Sequence, residues 1–140
     1  MTLKELSQLY YLNREIEADK ARLEELKAEL SSPSGSKITG MPKGSSGENK
    51  LERYIAEIVD LEAIISAKIT QCLHERNRLE RYIADIPDSL TRQIFTLRFI
   101  NGLSWDACAA HLGWANTWKN LSNICYRYID KSNKTDAMKT

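Results

Sequence analysis

The side chains best placed to do chemistry lie between Ser104 and Arg127, and the chemistry they suit is recognition rather than bond making. Ser104 precedes the run W-D-A-C-A-A-H-L-G. There its hydroxyl can take up an unpaired amide of a helix's first turn, while Asp106 places negative charge at the positive end of the helix dipole. The pattern predicts a short helix from Trp105 to Leu112, ended by Gly113, where a left-handed residue stops a helix without side-chain penalty. Asn116 or Thr117 then caps a second helix, whose apolar positions Leu121, Ile124 and Tyr128 recur at spacings of three and four. With those turned inward, Trp118, Lys119, Asn120, Ser122, Asn123 and Arg127 are left facing outward. Asn120 and Asn123 offer the paired donor and acceptor that match an adenine edge, and Lys119 and Arg127 can reach guanine or phosphate. Ser104, with the first amides of its own helix, can hold a backbone phosphate. Two helices joined by a tight turn around one glycine form the helix-turn-helix pattern, and double-stranded DNA is the partner these residue types fit.

The charge distribution agrees in sign. The net charge is +1, yet residues 1–86 hold 13 Lys or Arg against 15 Asp or Glu, and residues 87–140 hold 7 against 4. The basic excess therefore travels with the helix pair, as phosphate binding requires. Other chemistries find less support. The three cysteines, Cys72, Cys108 and Cys125, are odd in number and share no paired ligand spacing. Cys108 and His111 stand three apart, but with Cys125 and His74 they do not make a zinc pattern, so the cysteines read as small core residues and the histidines as surface groups. No metal or cofactor is expected. The glycines Gly40, Gly44 and Gly47 tempt a phosphate-loop reading, but the spacing is wrong and Glu48 stands where Lys and Ser would be needed. Nor do a nucleophile, a base and oxyanion donors converge by motif, so the chain does not read as an enzyme.

The elements that position the pair are helical. Three prolines and six glycines in 140 residues, with abundant Leu, Ile, Glu, Lys and Arg, predict an all-α chain. Over residues 1–30, Leu9, Ile16, Leu23 and Leu30 fall seven apart, with Leu12 and Leu26 as companions and Asp19 in the remaining companion place. This is a coiled-coil seam with one polar interruption, of the kind that fixes register at some cost in stability. Residues 31–48, rich in Gly, Ser and Pro, form a loop. From 49 to 86 a second seam (Leu51, Ile58, Ile65, Cys72, Leu79, Ile86) repeats every seven residues, and L-E-R-Y-I-A occurs twice on one face, at Leu51 and at Leu79. A helix of that span is about 55 Å long and must have a helical partner. The first helix, folded back antiparallel, supplies one, which gives an N-terminal hairpin. The long apolar stripe also favours a homo-oligomer, a dimer first.

Pro87 ends the long helix. Asp88 or Ser89 caps a bracing helix with Leu90, Ile94 and Leu97 on one face, ending near Asn101 and Gly102. Trp105 reads as core, Trp114 and Trp118 as an exposed aromatic patch. Residues 87–131 make one module, and the polar tail 132–140 is expected to fray. No run is long and apolar enough for a membrane, and the amphipathic start is unlike a signal peptide, so a cytoplasmic protein is expected.

The stretch T-R-Q-I-F-T-L-R-F-I-N-G-L-S-W-D-A-C-A-A-H-L-G, Thr91 to Gly113, resembles region 4 of sigma-70 family factors, in which a bracing helix leads through a Gly and a capping Ser into a promoter-reading helix-turn-helix. The whole layout is similar to small phage and prophage transcriptional regulators of Gram-positive bacteria, the RinA and ArpU types. The loop K-I-T-G-M-P-K-G-S-S-G (Lys37 to Gly47) and the turn L-G-x-x-N-T (Leu112, Gly113, Asn116, Thr117) carry that likeness. It implies a phage regulator that activates late genes at a promoter in the bacterial cytoplasm, with RNA polymerase as a further partner. Two alternatives stay open: a DNA-packaging protein of the small-terminase type, and a coiled-coil adaptor whose helix pair binds a protein.

Overall fold

The computed structural model describes residues 1–31, 44–113 and 116–139, with side chains from residue 49 onward after the gap at 32–43. Every regular element among them is helical. They are α1 (Leu3–Leu6), α2 (Gln8–Ser31), α3 (Gly44–Ala84), α4 (Ser89–Phe95) running into a π-helical turn (Thr96–Ile100), α5 (Trp105–Leu112) and α6 (Trp118–Lys139). The fold is all-α, with one very long helix. At 41 residues, α3 measures about 60 Å. It begins at Gly44, inside the stretch 31–48 expected to be loop, since glycine and serine weaken a helix by only about 1 kcal/mol each or less. The rest of that loop lies outside the described residues. The chain divides into two compact units, Asn13–Gln71 and Met1–Leu12 with Cys72–Thr140.

In the first of these units, α2 and α3 run antiparallel, since Asp19 faces Lys68 while Lys27, further along α2, faces Glu62, earlier on α3. Ile16, Leu26 and Ile65 are buried in the seam. Asp19, the polar interruption in the heptad, has its explanation here: Lys68 Nζ lies 2.6 Å from Asp19 Oδ2 and 3.7 Å from Glu15 Oε2. Lys68 also takes a seam position, three residues after Ile65. Each helix thus gives up one apolar contact at the same level, and the hydrogen bond that Lys68 donates to Asp19 holds the ammonium above its ordinary pKa. Such a pair specifies register, because sliding either helix by a turn would leave both charges against apolar neighbours. Leu51, Ile55, Val59 and Ile69 of this unit stay exposed.

The other unit contains the module. Its first residues are fixed by a capping box, in which the Glu5 amide donates to Thr2 Oγ1 (3.2 Å) and the Thr2 amide to Glu5 Oε2 (2.7 Å). The single helix expected from Thr2 is interrupted at Ser7, where α1 ends and α2 begins. Leu6 and Leu9 enter one core with Leu79, Ile83, Ile86, Ile94, Phe95, Leu97, Phe99, Cys108, Leu121, Cys125 and Ile129. Residues 1–12 therefore belong with the C-terminal module, whereas the sequence placed them in a separate coiled-coil segment. Arg78 Nη2 reaches Glu5 Oε1 at 2.7 Å. The Thr2 amide and then Arg78 hold the Glu5 carboxyl down at about 2.

After Pro87, Asp88 caps α4, accepting from the Thr91 amide at 2.9 Å and the Thr91 hydroxyl at 2.7 Å, which keeps its carboxyl below the usual range. Arg92 Nη1 takes up the carbonyls of Ile86 (2.7 Å) and Pro87 (3.0 Å) left by the end of α3. The π turn, closed by Asn101 N to Thr96 O at 2.9 Å, is not foreshadowed by the spacing of Leu90, Ile94 and Leu97. Its wider turn buries both Leu97 and Phe99 and leaves Arg98 at the side, donating to Leu103 O at 2.9 Å. At the other end, α6 continues through Lys139, where a fraying tail was expected. No Gly or Pro follows Gly113 to stop it.

Two outcomes test this reading. Asp19→Leu and Lys68→Leu each lower the melting temperature by stranding a charge in the seam, and the double variant recovers to wild type or above; additive losses in the circular-dichroism melts would show the pair to be uncoupled. Glu5 has a lower pKa folded than unfolded, so its contribution is full above the unfolded value of 4.5 and disappears as pH falls through about 2. Glu5→Gln should therefore melt below wild type at neutral pH, and the gap should close on acidification towards pH 2.

Candidate nucleic-acid interface

Helix α5 starts as the sequence predicts. Ser104, in extended backbone, accepts the Ala107 amide at 3.2 Å, and the helix ends at Leu112. Gly113 has φ 65° and ψ −168°, and its amide closes on Ala109 O at 3.0 Å. The positive φ is the expected one, but the extended ψ lies outside the ordinary left-handed helical region and in a region open essentially to glycine alone. Asn116 and Thr117, offered by the sequence as alternative caps, share the task. Asn116 Nδ2 donates to Gly113 O at 3.0 Å and fastens the turn, while Thr117 Oγ1 accepts the Asn120 amide at 3.2 Å and caps α6. Trp114 and Ala115 lie outside the described residues, and with them half of the expected aromatic patch.

On α6, Leu121, Cys125 and Ile129 are buried, with Ile124 and Tyr128 half-buried beside them. Trp118, Lys119, Asn120, Asn123 and Arg127 are exposed, so five of the six outward positions named from this helix stand on the surface. Ser122 is the correction. It is 6% exposed, and its hydroxyl donates to Lys119 O at 3.0 Å. The inward stripe is centred one residue away from the Leu121–Ile124–Tyr128 reading, on Ser122, Cys125 and Ile129, again spaced three and four. Serine fits there because it is small and satisfies its hydroxyl within its own helix. The apolar Cys125 and Ile129 at three and seven residues beyond it were the available signal.

Trp105, expected in the core, is half-buried. The Arg98 guanidinium lies 4.9 Å from the centre of its ring, and Tyr126 meets it edge-on at 6.1 Å. Arg98 thereby ties the π turn to α5, and Trp105 ties α5 to the exposed side of α6 through Tyr126, a surface aromatic that sequence reasoning missed. Ser104 also lines a cleft of about 400 Å³ with Tyr10, Tyr11 and Arg98, so the position proposed for a phosphate is open and borders a cation. Two of the thiols are poor nucleophiles: burial raises both Cys108 and Cys125, the latter to about 12. Among the described residues no group of three or more His, Cys, Asp and Glu is placed to hold a metal ion, and no helix is long and apolar enough to cross a membrane.

The arrangement can present charged and amide side chains from one rigid helix face beside a capped helix start. Its weakest joint is Gly113. A Cβ there would meet nothing within 4 Å, so the cost of Gly113→Ala is conformational, about 1–3 kcal/mol of stability in denaturant titration; a neutral result would place the strain elsewhere. Comparison of the chain with protein-family models, with curated proteins and with solved structures finds no match.

Proposed function

We propose that this chain is a sequence-specific double-stranded DNA-binding protein, a transcription regulator of the phage type that activates late genes at a promoter, with α5 and α6 acting as a helix-turn-helix. One observation carries the reading. Lys119, Asn120, Asn123 and Arg127 are exposed along α6, whose opposite side is locked into the core by Leu121, Cys125 and Ile129. Amide and basic groups fixed on one helical face match the donor and acceptor pattern of base edges and the phosphates beside them. The capped start of α5 at Ser104 suits a backbone phosphate next to that face. The sequence likeness to sigma region 4 and to RinA- and ArpU-type regulators supports the same reading.

RNA polymerase enters as a second partner through the aromatics. Trp118 is 52% exposed and Tyr126 42%, more apolar ring than DNA contact alone requires. Self-association, as a dimer, is supported by Leu51, Ile55, Val59 and Ile69, an apolar side of α3 left uncovered within its unit.

Anisotropy of labelled late-promoter and packaging-region fragments, titrated at two salt concentrations with nonspecific competitor, tests the proposal. Competitor-resistant binding to a promoter fragment is the expected result. Binding restricted to packaging DNA would replace the regulator by a packaging protein, and weak binding everywhere would make the Trp118 to Arg127 face a protein contact. On the promoter fragment, Asn123→Ala should cost about 1–3 kcal/mol and relax preference at one base, whereas Lys119→Ala should weaken all sequences alike and lower the salt dependence. Equal losses on all sequences for Asn123→Ala would remove its base-reading role.

A further inference from the structure

The continuation of α6 beyond the expected end of the module changes where the positive charge sits. Of the seven Lys and Arg in residues 87–140, Arg92 is spent on the carbonyls of Ile86 and Pro87, and Arg98 on Leu103 O and the Trp105 ring. The other five, Lys119, Arg127, Lys131, Lys134 and Lys139, all lie on α6. Against them stand Asp130 and Asp136, so this helix carries +3 while the whole chain carries +1. The remainder of the protein is net negative.

The charge is also directed. Asn123, Arg127, Lys131 and Lys134 follow at spacings of four, four and three, so they share a face, and all are exposed. Asp130 adjoins the same face, and Met138, 90% exposed, ends it. Arg127, Asp130, Lys131, Lys134, Thr135 and Met138 border one shallow hollow. Along the axis, Lys131 and Lys134 stand about 12 and 16 Å beyond Asn123. The major groove is about 12 Å wide, so a helix with Asn123 at the base edges has these two lysines at or past the groove wall, where phosphates are dense.

We propose that the C-terminal half of α6 is a separate phosphate-backbone contact, in which Lys131 and Lys134, with Arg127 at the junction, extend the footprint beyond the base-reading segment. This rests on the DNA-binding reading above and adds a division of labour within one helix: the first turns discriminate sequence, the last turns supply sequence-independent affinity. Asp130 tempers that affinity, which keeps nonspecific binding from swamping the discriminating contacts.

The test uses the full-length chain and a labelled random-sequence duplex beside the promoter fragment, with affinity measured across a salt series. Lys131→Gln/Lys134→Gln should lower the magnitude of the slope of log affinity against log salt by about two, so its affinity falls about tenfold less than wild type between roughly 50 and 200 mM salt. The low-salt loss should be equal on both duplexes. Asp130→Asn should tighten binding to both at low salt, a gain that a misfolded variant would not give. A wild-type slope in the double lysine variant, or no change in Asp130→Asn, while the parent still binds DNA, would overturn this inference and leave the proposed function standing. Failure of the parent to bind either duplex at low salt would overturn both.

Discussion

Phe95 is the side chain on which the C-terminal unit depends. It is fully buried, and its ring meets Phe99 at 5.3 Å, Tyr128 edge-on at 5.6 Å and Tyr82 at 6.2 Å. Those partners come from the end of α3, the π turn that continues α4, and the distant α6, so one ring joins the three. Burial of a phenylalanine contributes about 1.5–3 kcal/mol, and each aromatic pair adds about 0.5–1.5 kcal/mol. The sum is a large part of the stability of a small domain. The orientation of α6 relative to α4 is set at this point, and with it the direction in which the outward face of α6 looks.

The π turn follows from the same constraint. Phe95 and Ile94 already fill the core from α4, and the wider turn lets Leu97 and Phe99 enter as well while Arg98 remains at the edge. Arg98, half-buried, then turns its charge to Leu103 O and the Trp105 ring. The consequence reaches α5: Leu103 is held by Arg98 at its carbonyl and by Leu97 O at its amide (3.1 Å), immediately before the Ser104 cap. A helix whose start is fixed on both sides needs little further ordering to meet a phosphate, which lowers the entropic cost of binding in the proposed reading.

Much of this was readable from residue types. The heptads gave the long helix and its antiparallel partner, and the Ser104, Gly113 and Thr117 signals placed α5 and the start of α6 where they stand, because caps and a glycine stop act locally. What escaped depended on tertiary partners. Asp19 in the seam could be seen, but Lys68 as its partner required the register. Leu9 and Leu12 carry the same heptad as the rest of α2, and although Leu6 falls off it, nothing local announces that Leu6 and Leu9 enter one core with Ile83 and Phe95 in the C-terminal unit. Ser122 was misplaced by one position on the helix, an error of the size expected when a stripe is centred on its largest apolar residues and a small buried serine is counted as surface. The tail was read as fraying from its polarity, although polarity without Gly or Pro is equally the mark of an exposed helix.

That last point bears on how recognition and stability are divided along α6. Its buried stripe, Leu121, Ser122, Cys125 and Ile129, ends ten residues before the helix does. Beyond it, Ser132 and Asn133 are half-buried, with Asn133 Oδ1 accepting from the Met1 ammonium at 3.1 Å; past that contact the side chains are exposed, so the final turns from Lys134 are held by helix propagation and add little to the core. Substitutions there alter charge at small cost in folding, whereas substitutions between Trp118 and Ile129 risk altering both. A protein that must tune overall affinity for a polyanion without disturbing what it discriminates gains from that separation, because an exposed lysine can be gained or lost singly. In the proposed reading, the length of α6 beyond its own core contacts is the adjustable part of the interface, and the face anchored through Phe95 and Tyr128 is the fixed part.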